Sequence, residues 1–181
     1  WVSEWMSAGG VPYDQGWIDL LRAQGYTVEA DTASNYGVLD ASHLAALEAA
    51  DLIIISRTTN SGGYATDAAE VTQWNSVPTP LITMSGFFPR NNRWLWVDSA
   101  SVNELAEETL MEVVKADHPM FEGVSIADNQ VDMIDAAVDS GQNTFITATD
   151  VGNGTLIARR ADDGSMWIAE WAPGVPFYAA S

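Results

Sequence analysis

With 181 residues, 47% of them hydrophobic, the chain is long enough to bury a core without disulfide or metal staples. Twenty-five acidic residues against seven basic ones give a formal net charge of −18, which argues strongly against a nucleic-acid partner, because phosphate binding needs clustered cations. The absence of cysteine removes disulfides, thiolate metal sites and thiol nucleophiles together.

The first half alternates strand and helix patterns at the spacing of βαβ units. WVSEWM, 1 to 6, reads as a strand. Asp14 is placed to cap a helix running through Gln24, with Trp17, Leu20 and Leu21 on its core face and Gly25 as the stop. YTVEAD, 26 to 31, alternates as a strand does, and a second helix follows from Asp40 with Leu44 and Leu47 inward. LIII, 52 to 55, is a continuous apolar run of the kind found in a parallel strand covered on both faces. Asp67 and Glu70 have capping-box spacing for a third helix presenting Val71 and Trp74, which Pro78 and Pro80 end. LITM, 81 to 84, is then the fourth buried strand, so Ser85 and Gly86 lie at its carboxyl end, where open parallel sheets bind ligands.

The second half is less regular. WLWV, 94 to 97, reads as a short strand, Ser101 and Glu104 offer another capping box, and TLMEVV, 109 to 114, suits either the end of that helix or a strand. TLIARR, ADDGS and MWIAEW, 155 to 171, form a hairpin signal with Asp163-Gly164 as the turn.

A parallel start, a small-residue turn at Ser85-Gly86, an HPMFEGV element carrying His118, Pro119, Phe121 and Gly123, and a terminal hairpin together resemble the class I glutamine amidotransferase-like superfamily, in particular its trehalose-utilisation-like branch. The resemblance spans nearly the whole chain. It implies an α/β, flavodoxin-like fold: a mainly parallel sheet with helices on both faces and an antiparallel C-terminal hairpin extension. It also implies a single domain over 1–181, excised from a longer, secreted bacterial protein with a carbohydrate-related role. Catalytic members carry a cysteine in the strand-to-helix turn, where this chain reads T-M-S-G-F, so the thioester chemistry of the superfamily is not expected.

Ser85 is the obvious substitute nucleophile. A G-x-S-x-G elbow needs glycine two positions to either side, and here Thr83 and Phe87 stand there. A base is also needed, and only His43, on the second helix, and His118 exist, with Glu4 as a carboxylate that could activate water. Arg57, near Ser61-Gly62-Gly63, together with Arg90 and Arg93 places three of the seven cations on one expected rim, suited to an oxyanion or else paired internally with Asp98, Glu4 or Glu170. Trp5, Trp74, Trp94, Trp96, Trp167 and Trp171 suit a core or a sugar-stacking surface. The acidic stretches at 128 to 139 and 162 to 163 lack calcium-loop spacing, and no metal or cofactor is expected.

Two functions follow. The first is a non-catalytic or degenerate amidotransferase-like module of an extracellular bacterial protein, binding a small molecule, a glycan or a flanking domain through Arg57, Ser61, Ser85, Gly86, Arg90, Arg93 and His118. The second is a hydrolase using Ser85, or a water activated by His118 or Glu4. No apolar run approaches the ~20 residues of a membrane span.

Overall fold

The computed structural model describes residues 1–4, 9–31, 35–105, 110–133 and 143–178. The chain divides into two compact units, Trp1–Phe88 and Pro89–Ser181. Among the described residues, no helix is long and apolar enough to cross a membrane.

The first unit holds the helices α1 (Gln15–Ala23), α2 (Ala41–Ala49) and α3 (Ala68–Ser76), and the strands β1 (Ile53–Ile55) and β2 (Leu81–Thr83). β1 and β2 pair in parallel, Ile53 opposite Leu81 and Ile55 opposite Thr83, as the two apolar runs predict. Val2 adds parallel bridges to Ile55 on one side and Asp31 on the other. Asp40 and Asp67 cap α2 and α3, each side chain accepting two backbone N–H bonds in the first turn. Glu70 turns instead to Thr66, accepting from its N–H at 2.7 Å and its hydroxyl at 2.6 Å.

Several local expectations fail in this unit. LITM is not a buried strand, since Ile82 and Met84 are 44% and 38% exposed. YTVEAD forms no strand beyond the single bridge at Asp31. On α1, Trp17 and Leu20 are about half exposed, at 50% and 51%, and Ile18 is the buried residue. Asp14, just before the helix, is buried together with Ile18 one turn further on.

The second unit is antiparallel. β3 (Val102–Leu105) pairs with β6 (Asn143–Ile146). β5 (Gln130–Asp132), β4 (Leu110–Val113), β7 (Thr155–Arg160) and β8 (Met166–Glu170) form a four-stranded sheet in that order. β7 and β8 make the expected hairpin, closed by Arg160 N–H to the Ser165 carbonyl at 2.8 Å, with Gly164 at φ 74°. Across β4 and β7, Arg159 clasps the Glu112 carboxylate through Nε at 3.0 Å and Nη2 at 2.7 Å. Met111, Val113, Phe121, Ile157 and Ala158 form one buried cluster of this unit, and Val97, Ile146, Val151 and Met166 another.

The flavodoxin-like expectation is therefore corrected. Among the described residues the only parallel sheet has two strands, and the remaining sheets are small and antiparallel, without helices on both faces. Short connections account for the hairpin alone: the five residues between β7 and β8 can join only antiparallel neighbours, since a parallel crossover needs a dozen or more residues. Ser101 and Glu104 start no helix, because 102 to 105 is strand β3, and LMEV resolves as strand β4. WLWV is not a strand either. It lies in a looped segment where Leu95 has φ 61° and the Trp96 and Val97 N–H groups both bond the Pro89 carbonyl at 2.9 Å. Trp5, and residues 134–139 of the long acidic stretch, lie outside the described residues.

Candidate functional site

In the first unit, each parallel segment ends in a serine. Ser3 follows the Val2 bridge, Ser56 follows β1, and Ser85 lies two residues beyond β2. All three are buried. The backbone aligns the first two, because the Ser56 N–H bonds the Val2 carbonyl at 2.9 Å while the Met84 N–H bonds the Ile55 carbonyl at 2.9 Å.

Ser3 and Ser56 converge on Asp14, which enters from the turn before α1. Its Oδ2 accepts from Ser3 Oγ at 3.2 Å, from Ser56 Oγ, and at longer range from Trp1 Nε1 and Thr58 Oγ1, both at 3.4 Å. Thr58 closes the set, its hydroxyl 2.8 Å from Ser56 Oγ and 3.2 Å from Ser3 Oγ, while its N–H donates to Ser56 Oγ at 3.0 Å. Asp14 is the residue before the first turn of α1, yet its side chain makes no cap there. The expected cap is corrected: three hydroxyls outcompete the helix N–H groups for the same oxygen, and the carboxylate is drawn inward, 1% exposed. The other oxygen, Oδ1, is buried without a hydrogen bond.

What Oδ1 faces is Arg57, whose Nε lies 3.7 Å away. The Arg57 side chain is 62% exposed. The carboxyl edge thus has a buried polar layer of Asp14, Ser3 and Ser56, flanked by the half-buried Thr58, and beside it one guanidinium in solvent. The loop beyond is built on Glu4, whose Oε2 accepts the Asn60 N–H at 2.8 Å, and on Asn60, whose side chain accepts from Gly62 N at 3.0 Å at the head of the helical turn Ser61–Tyr64. Glu4 is consumed in placing this loop, and Ser61 is buried within it.

Ser85 is 5% exposed, and its Oγ accepts the Phe87 N–H at 3.3 Å, closing a turn in which Gly86 is half-buried. Within this unit, among the described residues, no histidine or carboxylate bonds the Ser85 hydroxyl. His43 lies at the start of α2, its Nδ1 2.7 Å from the Val38 carbonyl and its ring 4.9 Å from that of Tyr36.

The other predicted residues belong to the second unit. His118 caps a helical turn at Pro119–Phe121, its Nδ1 accepting from Met120 N at 3.2 Å, and its Nε2 lies 3.4 Å from Glu170 Oε2. Because Nδ1 accepts, Nε2 carries the proton and donates to Glu170. Arg90 and Arg93 sit on the looped segment before Trp94. Arg93 Nη1 donates to the Asn92 carbonyl at 2.7 Å, and burial together with the neighbouring Arg93 charge lowers the Arg90 pKa. The carboxylates expected to pair the rim arginines bond elsewhere as well: Asp98 accepts from Asn91 at 3.0 Å, Glu170 faces His118 and Glu4 holds Asn60. The tryptophans chiefly pack together, Trp96 with its ring centroid 5.5 Å from those of both Trp94 and Phe177 and 5.6 Å from that of Trp171. No group of three or more acidic or histidine side chains suited to a metal occurs among the described residues.

Sequence reasoning missed Ser3, Asp14, Ser56 and Thr58 as a unit. The available signal was that a serine follows each apolar run, at 3, 56 and 85. Comparison with protein-family models, with curated proteins and with solved structures gave no match.

Proposed function

We propose that the chain is a binding module without hydrolytic activity, which takes a small ligand at the carboxyl edge of the parallel segments in the first unit. The observation that carries this reading is the layering of that edge. The hydroxyls that could act as nucleophiles are buried and spent on hydrogen bonds, whereas the Arg57 guanidinium is exposed beside them. Nucleophilic catalysis needs a base in hydrogen-bond reach of its serine, and the partner of the Ser85 hydroxyl is a backbone N–H. The T-M-S-G-F turn, with serine where amidotransferases of the resembled superfamily have cysteine, supports a degenerate rather than a catalytic member. The same resemblance supports an extracellular bacterial setting, which the acidic composition suits.

Two measurements on the folded chain test the reading. A serine-directed fluorophosphonate probe is expected to leave Ser85 unlabelled, with no turnover of activated esters above background. A fragment library followed by amide NMR is expected to shift signals of Ser56 to Ser61 and of the Ser85-Gly86 turn. Labelling at Ser85 that Ser85→Ala abolishes would replace binding with hydrolysis.

A further inference from the structure

We propose that Arg57 is the recognition residue of this edge and that its guanidinium fork binds a small oxyanion, the carboxylate or phosphate group of the ligand. The inference rests on the binding reading above and names the chemistry that the site selects.

The support is the way Arg57 and Asp14 share their polar atoms. Asp14 is nine-tenths and more buried, and one of its two oxygens has no hydrogen bond. A buried acceptor is costly to leave unsatisfied. As a stabilising ion pair the arrangement is poor: 3.7 Å is well beyond the length of a charge-assisted hydrogen bond, and the arginine is mostly in water, where such pairs contribute little. As a positioning device it is well suited. Nε is the guanidinium nitrogen nearest Oδ1, and among the described residues the two terminal nitrogens make no hydrogen bond. Among the described residues the ion pair to Asp14 is the one polar interaction of the Arg57 side chain.

The other arginine of this unit, Arg22, is occupied on the last turn of α1, donating to the Val28 carbonyl at 2.9 Å and lying 3.9 Å from Asp19. In a protein of net charge −18, a guanidinium held open at a sheet's carboxyl edge is a local exception, and its planar fork matches two oxygens of one anion.

The test uses the whole chain, isotopically labelled, titrated with sodium phosphate and separately with sodium acetate at constant ionic strength set by chloride. The expected result is saturable shifts of the Ser56 to Asn60 and Gln15 to Trp17 amides with one or both anions. Phosphate alone would assign a phosphate-bearing ligand, and acetate alone a carboxylate. Arg57→Ala should weaken binding at least about tenfold, the loss of one charge-assisted pair. Arg57→Lys should recover only part of it, since a point charge cannot present a fork. The residue is largely exposed, so both variants should fold, and undisturbed amide dispersion checks this. Absence of saturable shifts, or equal affinity in Arg57→Ala, overturns the proposal. If neutral or cationic fragments still shift the same amides, the binding reading survives and only the oxyanion assignment falls. If no fragment does, both fall.

Discussion

Ser56, the residue that follows β1, donates its hydroxyl to Asp14, 42 positions earlier in the chain, and thereby fixes the start of α1 against the carboxyl edge of the strands. The same carboxylate takes Ser3, so one buried side chain joins the first segment, the first helix and β1.

Removing that acceptor should be among the more damaging single changes in the first unit. Asp14→Ala leaves the Ser3, Ser56 and Thr58 hydroxyls buried without their common partner, and by the penalties for broken buried networks it is expected to destabilise by about 3 kcal/mol. Asp14→Asn keeps one acceptor oxygen and should cost about half as much. Urea unfolding of the two variants checks the order, and an Asp14→Ala protein as stable as the parent would remove the carboxylate from its structural role.

His118 is expected to be structural. It caps the turn at Pro119–Phe121 through Nδ1, so His118→Ala should lower stability by about 1 kcal/mol. His118→Asn, a good capping residue, should restore most of it. Thermal melts of the pair decide the matter: failure of asparagine to rescue would point to the Glu170 contact instead.

The parts of the fold legible in the sequence were those written in local pattern. LIII and LITM announced a parallel pair by continuous apolarity, Asp40 and Asp67 announced helix starts, and the apolar runs around Asp163-Gly164 announced the hairpin. What misled was the inference from a βαβ beginning to a large parallel sheet, because the strand and helix alternation does not continue into the second half, whose sheets are antiparallel. α1 misled for another reason. Its apolar pattern favours Trp17 and Leu20, yet the residue it buries is Ile18, beside a buried polar residue at position 14 that hydrophobic periodicity does not count. The site was half legible: Arg57 and Ser85 were placed at strand ends correctly, whereas Asp14 looked like an ordinary cap. Its true partners are distant in sequence.

Gly154 is a packing glycine. A Cβ there would lie 2.5 Å from Trp171 Nε1 and 2.9 Å from the Glu170 carbonyl, against an indole that donates to the Val151 carbonyl at 3.1 Å. Gly154→Ala should therefore cost about 1–3 kcal/mol, the range for overpacking a tight contact. Gly164→Ala meets open space, and with φ at 74° its cost is backbone strain alone, about 1 kcal/mol. Tryptophan fluorescence should shift in the first variant and stay unchanged in the second.

Acid should weaken the protein partly through Glu112. The hydrogen bonds from Arg159 hold its carboxyl below the ordinary value of 4.5, outweighing the desolvation that raises it. A carboxyl depressed in the folded state binds fewer protons there than in the unfolded chain, so its contribution is complete above the ordinary value and is lost as pH falls through the folded one. Asp40 acts in the same direction, held below 3.8 by the His43 N–H and the Ser42 hydroxyl. Glu112→Gln removes the charge but not the shape, so it should be less stable than the parent at neutral pH, with the gap closing as pH falls to about 3, below the ordinary carboxylate range. Arg159→Gln should show the same closing gap, since either change breaks the same pair. Urea midpoints of the three proteins measured across that range provide the check. A gap that stays constant with pH would show that the Glu112 carboxyl does not distinguish the folded from the unfolded chain.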